Sequence, residues 1–543
     1  MKRTSSDSSL RNFPLSMDPL LNSLNTDNGA PPQVFQRTPP DRSNLFFTST
    51  SDNVIPPKLT YEIYEQLIVP LVDMDLEKAF CIAGVNNLTD LLLLTGQLNK
   101  TLLYIAAERG DTQLIKVLLS MVINPDSFVG IKDFLGNTPL ITAAKAGKPE
   151  SIKALLDGVH YPEQHIYERN NFGVISLMAA AQAGSVESIE ILFNSVKDKD
   201  ALANIKDDNC KTALNYAAIF NNPESIKTIL SFVSNPELLA NMEDADGMTA
   251  LLHVVHRNYT DSIKAILNGV SNPETLVYRV DEEDITILMH AASRGSDKSI
   301  IELLGSVKNP EKLASMQDKK GRTALMRAAS KDHTEAIKAL LSGVRNPNQL
   351  LFMRNQNDYN ALMLATMKGS SATIEALLEF SEYPAELIYF SNNDSKTLLM
   401  LGAKNKYIDD IDSNVITAIL ERVTTVRDHD YKITSTCAKG KNAYIYLDRD
   451  KLILLQDPKG MSAFMYAIKN NNRLAVLTLF NWTKDKLALL QDINIKNKTA
   501  LDLLNEEMCD ELIEKLENQQ LSAHMPDAEL VLSLLQKQKT RFL

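Results

Sequence analysis

Apolar and polar positions along this chain recur in one fixed order, shown most clearly by residues 321–347. Gly321 marks a tight turn, and Thr323-Ala324-Leu325-Met326-Arg327-Ala328-Ala329 reads as a short helix with small residues on one face. Ile337, Leu340, Leu341 and Val344 then fall at i, i+3, i+4 and i+7, the single buried stripe of a second helix. Asn346-Pro347 is a new start signal, and Asn235-Pro236-Glu237, Asn272-Pro273-Glu274 and Asn309-Pro310-Glu311 repeat it with Glu in the first turn. A third, short helical turn is therefore expected at the outer edge of each unit.

The residue equivalent to Thr323 is Thr101, Thr138, Ile175, Thr212, Thr249, Thr286, Thr323, Asn360 and Thr397, and every step is 37 residues. No unit can bury its stripe alone, so the pattern predicts an all-α repeat solenoid whose core is the stack itself. An earlier, degenerate unit is marked by Tyr64, because Lys78 to Val85 overlays Ile337 to Val344. After Thr397 the register breaks, and the next markers are Ser462 and Thr499. The expected organisation is a disordered polar, Pro-rich leader at 1–58, a capping repeat at 59–100 and regular repeats at 101–403. An irregular repeat with an insertion follows at 404–458, then repeats at 459–520 and a closing helix at 521–543. Within the insertion, Asn442 to Leu447 and Leu452 to Leu455 suggest a hairpin around Asp448 to Lys451. In the closing helix Leu530, Val531, Leu534 and Leu535 form the apolar stripe.

Turn chemistry sharpens this. Five residues before the markers from Thr138 onward stands Asp or Asn (Asp133, Asn170, Asp207, Asp244, Asp281, Asp318, Asn355, Asn392, Asp457). Three residues later comes Gly136, Gly173, Gly247, Gly321 or Gly460, replaced by Asp284, Asp358, Ser395 and Asn497, with Cys210 the exception. Gly and Asn tolerate positive φ, and Asp and Ser are expected to act through side-chain bonds to the backbone. The marker Thr is positioned to cap the first helix. Asp318 to Ala329 and Asp133 to Leu140 resemble the ankyrin repeat family, with its D-x-x-G-x-T-P-L-H-x-A-A pattern. Two departures stand out. The unit is longer than the family's usual one by the Asn-Pro edge, and the family's His is mostly Met (Met178, Met289, Met326, Met363, Met400, Met465). Interior packing between repeats is the expected role of these Met, with an adaptable groove as the alternative.

The resemblance implies a scaffold that binds a partner protein through the turn fingers and first helices on a concave face. The eighth residue past the marker reads Arg257, Arg294, Lys331 and Lys368 in four consecutive repeats, after Phe220. Beside them fall His256, Arg322 and Tyr359, with Tyr216, His253, His290 and Arg327 four past the marker. On a chain of net charge -11 this basic and aromatic row suits an acidic segment of a partner protein. The same net charge argues against a general nucleic-acid binder, and no apolar run is long enough to insert in a membrane.

Catalytic readings are thin. Cys81, Cys210, Cys437 and Cys509 lie far apart with no C-x-x-C spacing, which points away from zinc and toward a reducing compartment. His253-x-x-His256 lacks a third ligand, and no metal or cofactor is expected. The Gly147-Lys148 and Gly440-Lys441 pairs lack the other residues of a phosphate loop. His429, Asp430 and Cys437 keep one enzyme alternative open, a site in the 404–458 insertion with the repeats as its recognition arm. The start lacks a Sec-type signal, so the expected location is cytoplasmic, or a host cell cytosol reached without that signal. Long ankyrin arrays of this kind also resemble effectors that intracellular bacteria inject into host cells.

Overall fold

The Thr323 unit shows how local sequence dictates the repeat. Asp318 Oδ1 accepts the amides of Lys320 and Arg322 at 2.9 and 2.8 Å, folding residues 318–322 into a tight finger. Thr323 caps the first helix, Ala324–Lys331, by accepting from the Met326 amide at 3.3 Å. Asp332 ends that helix in the left-handed conformation, and the second helix, Thr334–Ser342, runs next with Ile337, Leu340 and Leu341 buried. The expected edge helix is present as Pro347–Leu351, with the Asn346 side chain capping it and Pro at its start. Its counterparts include Pro236–Ala240, Pro310–Ser315 and Pro384–Tyr389.

The computed structural model describes residues 59–404, 414–425, 433–435, 443–445, 449–518 and 527–542. All of them belong to one unit, Ile55–Leu543. The leader at 1–58, most of the insertion, and His429, Asp430 and Cys437 lie outside the described residues. The degenerate first unit has its three helices, Tyr61–Val72, Leu76–Ala83 and Leu88–Leu92.

Consecutive repeats are joined along three lines. First helices pack on first helices and second on second, with Ala328, Ala329 and their equivalents fully buried between them. The six methionines at the family's His position are all buried, so they pack between repeats and line no groove. Gly343 marks one of the closest approaches, since a Cβ there would lie 2.4 Å from Leu304 Cδ1 of the preceding repeat. The fingers are tied by backbone bonds, such as Lys319 N to Glu283 O and Gln356 N to Lys320 O, each 3.1 Å. At the outer edge, the acidic residue after each Pro reaches forward to the next repeat: Glu237 accepts from Ser271 N at 2.6 Å, Glu274 from Lys308 N at 2.9 Å and Glu311 from Arg345 N at 2.8 Å.

Three expectations need correction. The hairpin in the insertion pairs Ile433–Ser435 with Ala443–Ile445, and the segment read as its second strand is the helix Arg449–Leu454. The physical reason is register: Leu452 and Ile453 occupy the positions that Leu350 and Leu351 hold before Asn360, so burial selects the edge helix there. Leu530 in the closing helix, Ala528–Lys539, is exposed, while Val531 and Leu535 are buried. The third concerns the fingers. Asp284, Asp358, Ser395 and Cys210 adopt positive φ (58°, 61°, 55° and 60°), as Gly321 does at 72°, so they serve the turn through backbone conformation.

Candidate functional site

The face made by fingers and first helices is set by one residue pair per repeat. In the Thr323 unit the second oxygen of buried Asp318 accepts from Arg327 at 2.6 Å and from Arg322 at 2.8 Å. The same geometry joins Tyr216 to Asp207 at 2.8 Å, His253 to Asp244 at 2.7 Å and Tyr466 to Asp457 at 2.7 Å, with His290 Nε2 3.5 Å from Asp281. Apart from Arg322, each of these partners follows its acid by nine residues. Asp133 takes its donor from the preceding repeat, the Tyr104 hydroxyl at 2.8 Å. Where the donor position holds Ala179, Leu364, Leu401 or Leu503, the finger residue is Asn170, Asn355, Asn392 or Asn494. A buried carboxylate needs a donor and a neutral amide does not, which accounts for the alternation. Burial alone would raise the Asp318 carboxyl, but the Arg322 amide and the Arg327 guanidinium outweigh it and hold the group low. Asp244 is likewise held low, burial being outweighed by His253 and backbone amides.

Tyr216, His253 and Arg327 therefore have their polar ends turned onto the fingers, with Arg322 sharing Asp318. Phe220 and Tyr359 are half-buried against the core. Arg257, Arg294, Lys331 and Lys368 are all exposed, and none of the four forms an ion pair among the described residues. Arg109, in the same register, differs: it pairs with Glu65 at 2.5 Å. The finger residues nearest this row are mixed in sign, with Glu282 and Glu283 followed one repeat on by Lys319 and Lys320, all exposed.

His256 stands beside His290, the inward-turned residue of the next repeat. Their ring centroids are 5.3 Å apart at 51°. Burial first, then His290, Arg294, His253 and Arg257, lower the His256 imidazole to about 3. His290 is lowered too, chiefly by burial; Asp281 opposes this, and Arg327 and Arg294 add to it. The two histidines of His253-x-x-His256 do not converge on a common point, because His253 Nε2 is bound to Asp244. No cluster of three or more His, Cys, Asp or Glu suited to a metal occurs among the described residues. Sequence reading found the outward row but missed the inward pairs, whose signal was the nine-residue spacing together with the Asp-or-Asn alternation.

Stacked helical units with capped fingers and edge turns define a helical repeat solenoid. A family model described as ankyrin repeats (3 copies) matches residues 76–165, 177–278, 271–350 and 288–388, and the chain belongs to the ankyrin repeat family. Repeats of this family are in general protein–protein interaction modules and typically non-catalytic. No curated protein matches the sequence. No helix among the described residues is long and apolar enough to cross a membrane.

Proposed function

We propose that the chain is a non-catalytic scaffold that holds an acidic segment of a partner protein along its first helices. The observation that carries this reading is the row Arg257, Arg294, Lys331 and Lys368, exposed and outside any described ion pair, on a chain of net charge -11. Arg322 and Arg327 on the same face are paired with Asp318, whereas these four stand outside any described ion pair. Helices in contact pack about 10 Å apart, so the row advances by roughly that distance per repeat. An extended polyproline-like segment rises about 3.1 Å per residue and returns to the same side every third residue. A partner with acidic residues about three apart therefore matches the row.

Selection from a displayed peptide library on the full chain tests this. The expected winners carry Asp or Glu at that spacing. The variant R257E/R294E/K331E/K368E should bind them roughly tenfold or more weakly, since exposed charge pairs contribute about 0.2–1 kcal/mol each. Equal binding by the variant, with its thermal transition unchanged, would remove the reading.

A further inference from the structure

One spot on this face is built for more than a surface charge. His256 Nε2 is buried and has no hydrogen-bond partner, although buried polar nitrogens are almost always satisfied. The groups around it are known from each side. Its own helix, Ala250–His256, brings His253, already held by Asp244, and is followed by the exposed Arg257. The next first helix, Ile287–Arg294, contributes His290 in ring contact and Arg294, while Arg327 beyond it is committed to Asp318. The preceding first helix, Ala213–Ile219, contributes Tyr216, which is bound to Asp207. The second helix of the same repeat, Thr260–Asn268, has Asp261 exposed and Lys264 paired with Glu302 at 3.2 Å. Asp281 stands at His290, 3.5 Å from its Nε2. His256 thus sits among cations and an imidazole, with a proton site facing no acceptor.

We propose that His256 and His290 receive one carboxylate of the acidic segment, and that its arrival places a proton from solvent on the imidazole pair, so that acid tightens binding. This rests on the reading of the face as an acidic-segment site. In the free protein burial and the neighbouring arginines disfavour the imidazolium form of both rings, with Asp281 opposing them at His290. A carboxylate against them reverses the electrostatic balance and favours the imidazolium. The arginines and lysines of the row stay charged across this range, so they give no such dependence.

The test uses the full chain and a labelled peptide of four Glu-Pro-Pro triplets, followed by fluorescence anisotropy at constant ionic strength. A peptide of Gln-Pro-Pro triplets is the control. If the bound pair titrates at an ordinary imidazole value, affinity rises about tenfold from roughly pH 7.5 to roughly pH 5.5. His256→Gln/His290→Gln should abolish the rise, so that affinity for the Glu peptide is the same at both pH values. Calorimetry of the unaltered chain in two buffers of different ionisation enthalpy gives an independent reading, with about half a proton taken up near pH 6.5. Binding of the Glu peptide with no pH dependence and no proton uptake overturns the imidazole role and leaves the cation row standing. A rise that persists in the double variant does the same. No preference for the Glu peptide at any pH overturns both.

Discussion

Tyr216, His253, His290, Arg327 and Tyr466 bring three kinds of side chain to one task, turning toward the finger carboxylate nine residues earlier. Their variety is why the sequence reading assigned several of them to partner contact. No single residue type recurs, and chemistry that looks like a binding surface is turned into the fold. Met178 and its equivalents were easier, because an apolar residue in a column flanked by Leu and Ala reads as interior. The inward pairs give a residue-scale expectation. Tyr216→Phe leaves buried Asp207 with the amides of Asn209 and Lys211 at 2.9 and 2.7 Å but no side-chain donor. Loss of a hydrogen bond to a charged acceptor should cost about 1.5–3 kcal/mol, measurable by denaturant unfolding. No loss would show that the hydroxyl is not needed by the finger.

The edge helix is the element that makes this array unlike shorter repeats. Its start signal was legible, since Asn, Pro and an acid in sequence can mean little else. Its second use was not. The acid reaches a backbone amide 34 or 35 residues later, as in Glu311 to Arg345 and Glu237 to Ser271 and Asn272, and backbone amides carry no sequence signature. Asp126 is the most elaborate case, accepting the His160 and Tyr161 amides at 3.2 and 3.0 Å and the His160 ring at 2.8 Å, with His165 at 3.3 Å. Burial opposes its ionisation, but these bonds outweigh it and lower the carboxyl from 3.8 to about 2. Burial also opposes protonation of His165, yet Glu168 and Asp126 raise it above its ordinary 6.5. The Asp126 contribution is complete above 3.8 and lost as pH falls through about 2. The His165 contribution is complete below 6.5 and lost as pH rises through its raised value. The opening free energy of the His160 and Tyr161 amides, from hydrogen exchange, should be larger near about pH 5.5 than near about pH 8.5. Asp126→Asn should reduce that difference to what Glu168 alone sustains at His165, and an equal or opposite trend in the unaltered chain would contradict the latch.

At the scale of the molecule, the period of 37 makes nearly the whole architecture legible in the sequence, because a solenoid is one interface used again and again. What the period leaves free is function, which we propose lies in the row from Arg257 to Lys368. Three tie lines between repeats, the packed helices, the finger backbone bonds and the edge latches, hold that row at fixed intervals. A row set in advance avoids an ordering cost on binding, which is what a scaffold for an extended segment needs. The most direct measurement is zero-length carbodiimide cross-linking of the full chain to the selected acidic segment, read by mass spectrometry. Amide links from the partner's carboxylates to Lys331 and Lys368 are the expected result, extended to positions 257 and 294 when Arg257→Lys and Arg294→Lys are introduced. Links confined to Lys308, Lys312 or Lys338, on the edge loops, edge helices and second helices, would place the partner elsewhere and contradict the account.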